Sequence, residues 1–110
     1  MGIDYNKIKA ITSQVVKQYN GYTFDVVKSG LSSSVYVYIH FDGAIVTLRI
    51  SDHYNNCGVN YDEEMVADKV NVNTLRRTLE SLCRKLKRKR VKYLLKVVAS
   101  QLKESESFEM

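Results

Sequence analysis

Apolar and polar positions divide this chain into stretches of different period. In the first, Ile8, Ile11, Val15 and Tyr19 recur at spacings of three and four, the period of a helix with one buried side. Asp4 stands where an N-cap is expected, and Asn20-Gly21 supplies a stop, the glycine suited to a left-handed cap. Tyr22 to Val27 then reads as a short β-rich piece. A flexible connection follows, Lys28-Ser29-Gly30 with serines at 32–34.

The second stretch predicts a β-hairpin. The runs SSVYVYIHF and AIVTLRI alternate apolar with polar and flank Asp42-Gly43, a preferred two-residue turn. Such a turn fixes the register: Val35 faces Ile50, Val37 faces Leu48, Ile39 faces Val46, and Phe41 faces Ala44. These four pairs make the core side. The other side pairs Tyr36 with Arg49, Tyr38 with Thr47, and His40 with Ile45.

After Ile50 the chain turns polar and loses periodicity (SDHYNNCGVNYDEE), and Val66 to Val72 predicts a further strand. Asn73 is suited to cap a long helix. Leu75, Leu79, Leu82, Leu86, Tyr93 and Val97 fall within about 60° of one another on that helix. Lys89 and Arg90 flank the stripe where its next apolar residue is missing. Past them a second stripe appears on the opposite side, Val91, Leu95, Val98 and Leu102, spaced four, three, four. A helix of roughly 30 residues is about 45 Å long, more than so small a sheet covers. Either it runs straight past the body and offers its second stripe to a partner, or it breaks near Lys87–Arg90 and folds back. The lack of Gly and Pro there favours continuity. The expected fold is α+β: an N-terminal helix, a three- to four-stranded antiparallel sheet with a central hairpin, and a long basic C-terminal helix. Residues 1–103 make one domain with a projecting helical arm, and 104–110 (ESESFEM) make a frayed acidic tail.

Composition narrows the function classes. With 110 residues, 45% of them hydrophobic and 26% charged, the chain is expected to be one small globular domain. No apolar run has the length of a membrane span and no signal peptide is seen, so no membrane contact and a cytoplasmic location are expected. Cys57 and Cys83 provide neither a disulfide framework nor a zinc set, and free thiols fit a reducing cytosol. Charge is the most uneven property. Residues 1–70 carry six basic and eight acidic side chains, residues 71–103 eleven basic and one acidic, and residues 104–110 three acidic. The positive charge belongs to one helix, which points to a polyanionic partner.

The candidate contacts follow from that distribution. Arg84, Lys85, Lys87, Arg88, Lys89, Arg90 and Lys92, extended by Arg76 and Arg77, are candidates for nucleic-acid phosphates, which give affinity and salt dependence rather than sequence specificity. A solubilising surface is the plainer reading of the same run. Tyr36, Tyr38 and Arg49 are a second candidate, since aromatics interleaved with a cation on a sheet stack bases or anchor a protein. Strand propensity alone also explains the tyrosines. Ser51-Asp52-His53 is not read as catalytic, because triads are assembled in space. Asp52, His53 and Cys57 lack a second histidine for a metal site, and Asp52 and His53 are expected to end the strand. Cys83 is expected to be a small core residue. No enzyme, metal or cofactor is expected.

From Ser32 to about Leu86 the features run in a recognisable order. A serine-rich lead-in precedes the Tyr-rich strand SSSVYVYIHF, then a strand ending in RISDH. An Asn- and Asp-rich loop with YDEE, a Val/Asn strand and a Leu- and Lys-rich helix follow. This order resembles the phage-encoded type II-A anti-CRISPR proteins, which carry a similar strand–RLSNH–loop–strand–helix arrangement. The resemblance implies inhibition of a type II RNA-guided DNA nuclease in a bacterial host cell, by binding the effector, its guide RNA, or both. It carries over Arg49 to His53, including Asp52, as an interaction surface. Those inhibitors can begin with a basic disordered segment, whereas this chain begins with a helix and is basic at its other end. DNA mimicry is excluded by the charge of the long helix, although Asp62-Glu63-Glu64 suits a local basic site. The alternative is a small basic nucleic-acid-binding or regulatory protein, a homodimer through Val91, Leu95, Val98 and Leu102.

Overall fold

Asp4 accepts the Lys7 amide at 2.7 Å and so opens the first helix, α1, Tyr5–Val16. The computed structural model describes residues 4–30, 33–52 and 61–108, and the side chains of these except 91–93 and 101–108. The inward side of α1 is Ile8, Ile11, Val15 and Val16. Tight turns carry the chain from Val16 to Tyr22, so Tyr19 lies past the regular helix, and Gly21 reverses direction at φ 84°.

Four strands follow, β1 (Thr23–Lys28), β2 (Val35–Phe41), β3 (Ala44–Ser51) and β4 (Glu63–Val66), in that spatial order. The hairpin has the register expected from its turn, with Val37 opposite Leu48 and Tyr36 opposite Arg49. Asp42 and Gly43 take φ 50° and 88°, the pair of positive values that a type I′ turn needs and that matches strand twist. A Cβ at Gly43 meets no atom within 4 Å, so Gly43→Ala introduces backbone strain alone. We expect it to cost about 1 kcal/mol, read as a lower denaturant midpoint with an unchanged slope.

Three sequence expectations need correction. The fourth strand joins β3 in parallel, with Arg49 opposite Glu64, so the sheet is mixed rather than antiparallel. A parallel neighbour needs a long return connection, and residues 52–62 provide it. The strand expected over Val66 to Val72 lies earlier: only Val66 belongs to β4, and Ala67–Lys69 form a 3-10 turn that buries Ala67. The long helix, α2, Val72–Phe108, is capped two residues before the expected Asn73. Asn71 is the cap: its Oδ1 accepts the Thr74 amide at 2.9 Å, and Thr74 Oγ1 accepts the Asn71 amide at 2.9 Å. Asn73 has Arg76, a donor only, at the position that must accept in such a reciprocal box.

Both helices lie on one face of the sheet, α1 against β1 and β2, α2 against β2 and β3. Between them Leu75, Leu79, Leu82, Cys83 and Leu86 close over Val37, Ile39, Val46 and Leu48, all of them buried. The expected choice between a continuous and a broken helix resolves as continuous. At 37 residues α2 is about 55 Å long in a molecule 64 Å in its longest dimension. It takes in most of the acidic C-terminal stretch. Among the described residues no helix is long and apolar enough to cross a membrane.

Candidate functional site

The basic run splits into two groups once α2 is docked. At helical period, Lys85, Lys89 and Arg90 flank the buried stripe, and all three reach back to the sheet. Lys85 and Lys89 converge on Asp62 Oδ1 at 3.1 and 2.8 Å, and Lys89 Nζ also donates to the Ile45 carbonyl at 3.1 Å. Arg90 pairs with Asp42 at the hairpin tip and sits 5.2 Å over the Phe41 ring. Asp62 is held from its other side by the Thr47 amide at 2.8 Å. Burial alone would push the Asp62 carboxyl up. The hydrogen bonds from Lys89, the Thr47 amide and Lys85 outweigh that effect and bring it down from 3.8 to about 2. Three of the candidate phosphate-binding residues are therefore the clamp that fastens α2 to the hairpin. The acidic patch noted in the sequence meets a local basic site in this same chain.

The second group faces away. Arg84, Lys87 and Arg88 are exposed and make no ion pair among the described residues. Arg77 is exposed two turns earlier, its Nε donating to the Asn73 carbonyl of its own helix. At spacings of seven, three and one, Arg77, Arg84, Lys87 and Arg88 share the outward side over about 16 Å of helix. Arg76 is turned toward α1, where it donates to Gln14 at 2.8 Å. The side chain of Lys92 lies outside the described residues.

The tyrosine candidate assembles on the face of the sheet opposite the helices. Tyr36 and Tyr38 stack with ring centroids 6.4 Å apart. Tyr61, from the stretch that showed no periodicity, adds a third ring 5.9 Å from Tyr36. Arg49 is only 7% exposed. Its guanidinium lies 6.0 Å from the Tyr61 ring, donates to Ser51 Oγ at 3.1 Å and meets Glu64 at 3.6 Å. What this face presents is aromatic surface, with its cation held inside. Asp52 accepts a hydrogen bond from Ser33 Oγ across the open end of the hairpin. The RISDH motif is thus tied into the sheet through Arg49, Ser51 and Asp52, while His53 lies outside the described residues.

The remaining candidates divide in the same way. Cys83 is fully buried, and burial, with the Glu80 charge beside it, pushes its thiol up to about 11, the state of an inert core residue. Cys57 lies outside the described residues. Among the described residues no cluster of His, Cys, Asp and Glu is suited to a metal ion. Along the second stripe, Leu95 and Val98 are 64% and 50% exposed, while the side chains of Val91 and Leu102 lie outside the described residues. Comparison with family models, with curated proteins and with solved structures gives no match to this chain, and its own geometry carries the functional reading.

Proposed function

We propose that this protein acts by binding nucleic acid along the outward side of α2. The observation that carries the reading is the row Arg77, Arg84, Lys87 and Arg88, exposed on one side of a continuous helix and without ion pairs among the described residues. The cations that hold α2 to the hairpin, Lys85, Lys89 and Arg90, are paired with carboxylates. A row left unpaired keeps its attraction for phosphates and releases counterions on binding. Its contacts are to the backbone of the nucleic acid and carry little sequence information.

The resemblance over residues 32–86 directs this reading to a particular setting. In that setting the protein is a phage-encoded inhibitor of a type II RNA-guided nuclease in a bacterial cytoplasm, with guide RNA as the polyanion. The stacked Tyr36, Tyr38 and Tyr61 rings favour a protein contact there, since buried aromatic anchors dominate interface energetics. No catalytic step and no cofactor is invoked.

Fluorescence anisotropy with labelled RNA and duplex DNA across a salt series tests the binding. For the triple variant Arg84→Ala, Lys87→Ala, Arg88→Ala, the slope of log affinity against log salt is expected to fall by about 2 to 3. An unchanged slope would sink the nucleic-acid reading. Target cleavage by a guide-loaded type II nuclease, titrated with this protein under excess competitor nucleic acid, tests the setting. Inhibition saturating near one protein per nuclease supports it, and inhibition abolished by competitor leaves a general polyanion binder.

A further inference from the structure

Where the turn after α1 meets the hairpin tip, three rings come together beside α2. Tyr19 and Tyr22 lie 5.2 Å apart and Tyr22 and Phe41 4.4 Å apart, centroid to centroid, and all three are half-buried. The turn at Gly21 brings the two tyrosines together, with the Tyr22 amide donating to the Tyr19 carbonyl at 3.2 Å. The Tyr22 hydroxyl donates to the Cys83 carbonyl at 3.1 Å, which fixes the cluster against α2 about one turn before Lys87. Cations border these rings. Burial pushes the Tyr19 hydroxyl up, Cys83 and Glu80 add to the rise, and Arg84 opposes it, which places Arg84 beside that ring. Arg90 sits over Phe41, and at helical period Lys87 lies between Arg84 and Arg90 around the helix. The exposed row of α2 therefore runs along the rim of an aromatic surface.

We infer that the outward side of α2 and this ring cluster form one site for single-stranded nucleic acid, in which Arg84 and Lys87 hold phosphates and an unpaired base packs on Tyr19. The inference rests on the nucleic-acid reading and adds to it the class of strand. Bases in a duplex are stacked on one another and offer the rings nothing, whereas a single strand presents a base face beside each phosphate. Every base has such a face, so the contact adds affinity without reading sequence. Tyr19 is the ring at the open end of the cluster: Phe41 lies under Arg90, and Tyr22 stands between the two. Asp42 occupies Arg90, and the half-buried Glu80 stands about one turn before Arg84, which leaves Arg84 and Lys87 as the phosphate contacts. The face formed by Tyr36, Tyr38 and Tyr61 lacks this arrangement, because its cation Arg49 is held inside.

Anisotropy of the full chain with two labelled single strands of equal length, oligothymidylate and an abasic strand that keeps every phosphate and lacks the bases, tests it. The parent protein is expected to bind oligothymidylate at least about fivefold more tightly than the abasic strand, a comparison that needs no variant. Tyr19→Leu keeps an apolar side chain against Tyr22 and removes the ring. It is expected to cancel that preference while leaving the abasic affinity, the salt slope and the circular dichroism spectrum unchanged. Tyr19→Phe, which keeps the ring, binds as the parent protein does. Equal affinity of the parent protein for the two strands, or a Tyr19→Leu variant that retains the full preference, overturns this inference and leaves the nucleic-acid reading standing. Binding to neither strand at low salt overturns both.

Discussion

Leu79→Ala is expected to remove about 3 kcal/mol of unfolding free energy, whereas Leu95→Ala, on the same helix, leaves stability within about 0.5 kcal/mol. Leu79 has no exposed surface and lies in the core between α2 and the central strands. Its truncation loses the transfer energy of the removed carbons and leaves a cavity that a rigid two-layer packing does not close. A domain of this size holds roughly 5–15 kcal/mol in total, so a large share of the native state is at risk from one side chain. Leu95 is mostly exposed, and alanine is at least as good a helix former. The comparison is made by urea unfolding at the lowest workable protein concentration, which keeps self-association out of the Leu95 result. Equal losses at the two positions would mean that the arm folds back on the body.

The elements that were legible in the sequence are those where one local rule dominates. Asp42-Gly43 between two alternating runs admits one turn type and one register, and every pair in the hairpin follows from it. The leucines of α2 repeat at helical period for three turns, and Leu75, Leu79, Leu82 and Leu86 are all buried. The errors fall where two local signals compete. Asn71 and Asn73 are both good caps, and the choice was made by Thr74, whose hydroxyl answers Asn71. The stretch from Val66 to Val72 reads as a strand, but the parallel pairing of β4 with β3 is fixed upstream. There Asp62 donates its amide to the Thr47 carbonyl, a contact that no local period encodes.

The site was legible as a set of residues and illegible as an arrangement. Helical period sets Lys89 and Arg90 beside the apolar stripe, but in the sequence the nine basic residues form one candidate set. That the first group is consumed by the fold depends on where Asp42 and Asp62 come to lie, which is tertiary information. The same holds for Arg49. Alternation places it on the outer face of the sheet, correctly, but its burial follows from Tyr61 and Glu64, brought to it by β4. A charge count therefore overstates the surface available to a polyanion. Arg77, Arg84, Lys87 and Arg88 remain of the nine basic candidates, with Lys92 undescribed.

Asp62→Asn is expected to lower the unfolding free energy by about 2 kcal/mol at neutral pH while leaving nucleic-acid affinity intact or slightly raised. The carboxylate joins the Thr47 amide of β3 to Lys85 and Lys89 of α2, so one side chain holds the helix to the edge of the hairpin. Its carboxyl is depressed from 3.8 to about 2 in the folded protein. A group bound more weakly to protons in the native state stabilises that state above the unfolded value and loses the contribution as pH falls through the folded one. A displacement of this size corresponds to about 2 kcal/mol. The loss should develop between about pH 4 and pH 2, adding to that of the other carboxylates. Asparagine keeps an acceptor for the Thr47 amide but not the charge that two lysines share. In the variant the stability difference from the parent protein should therefore shrink across that acid interval, measured by chemical unfolding at a series of pH values. The affinity readout separates the two roles of the basic helix. If Lys85 and Lys89 serve the fold, releasing them costs stability and does not cost binding. A variant that unfolds no more easily but binds nucleic acid more weakly would place the function of Asp62 in the interface and not in the clamp.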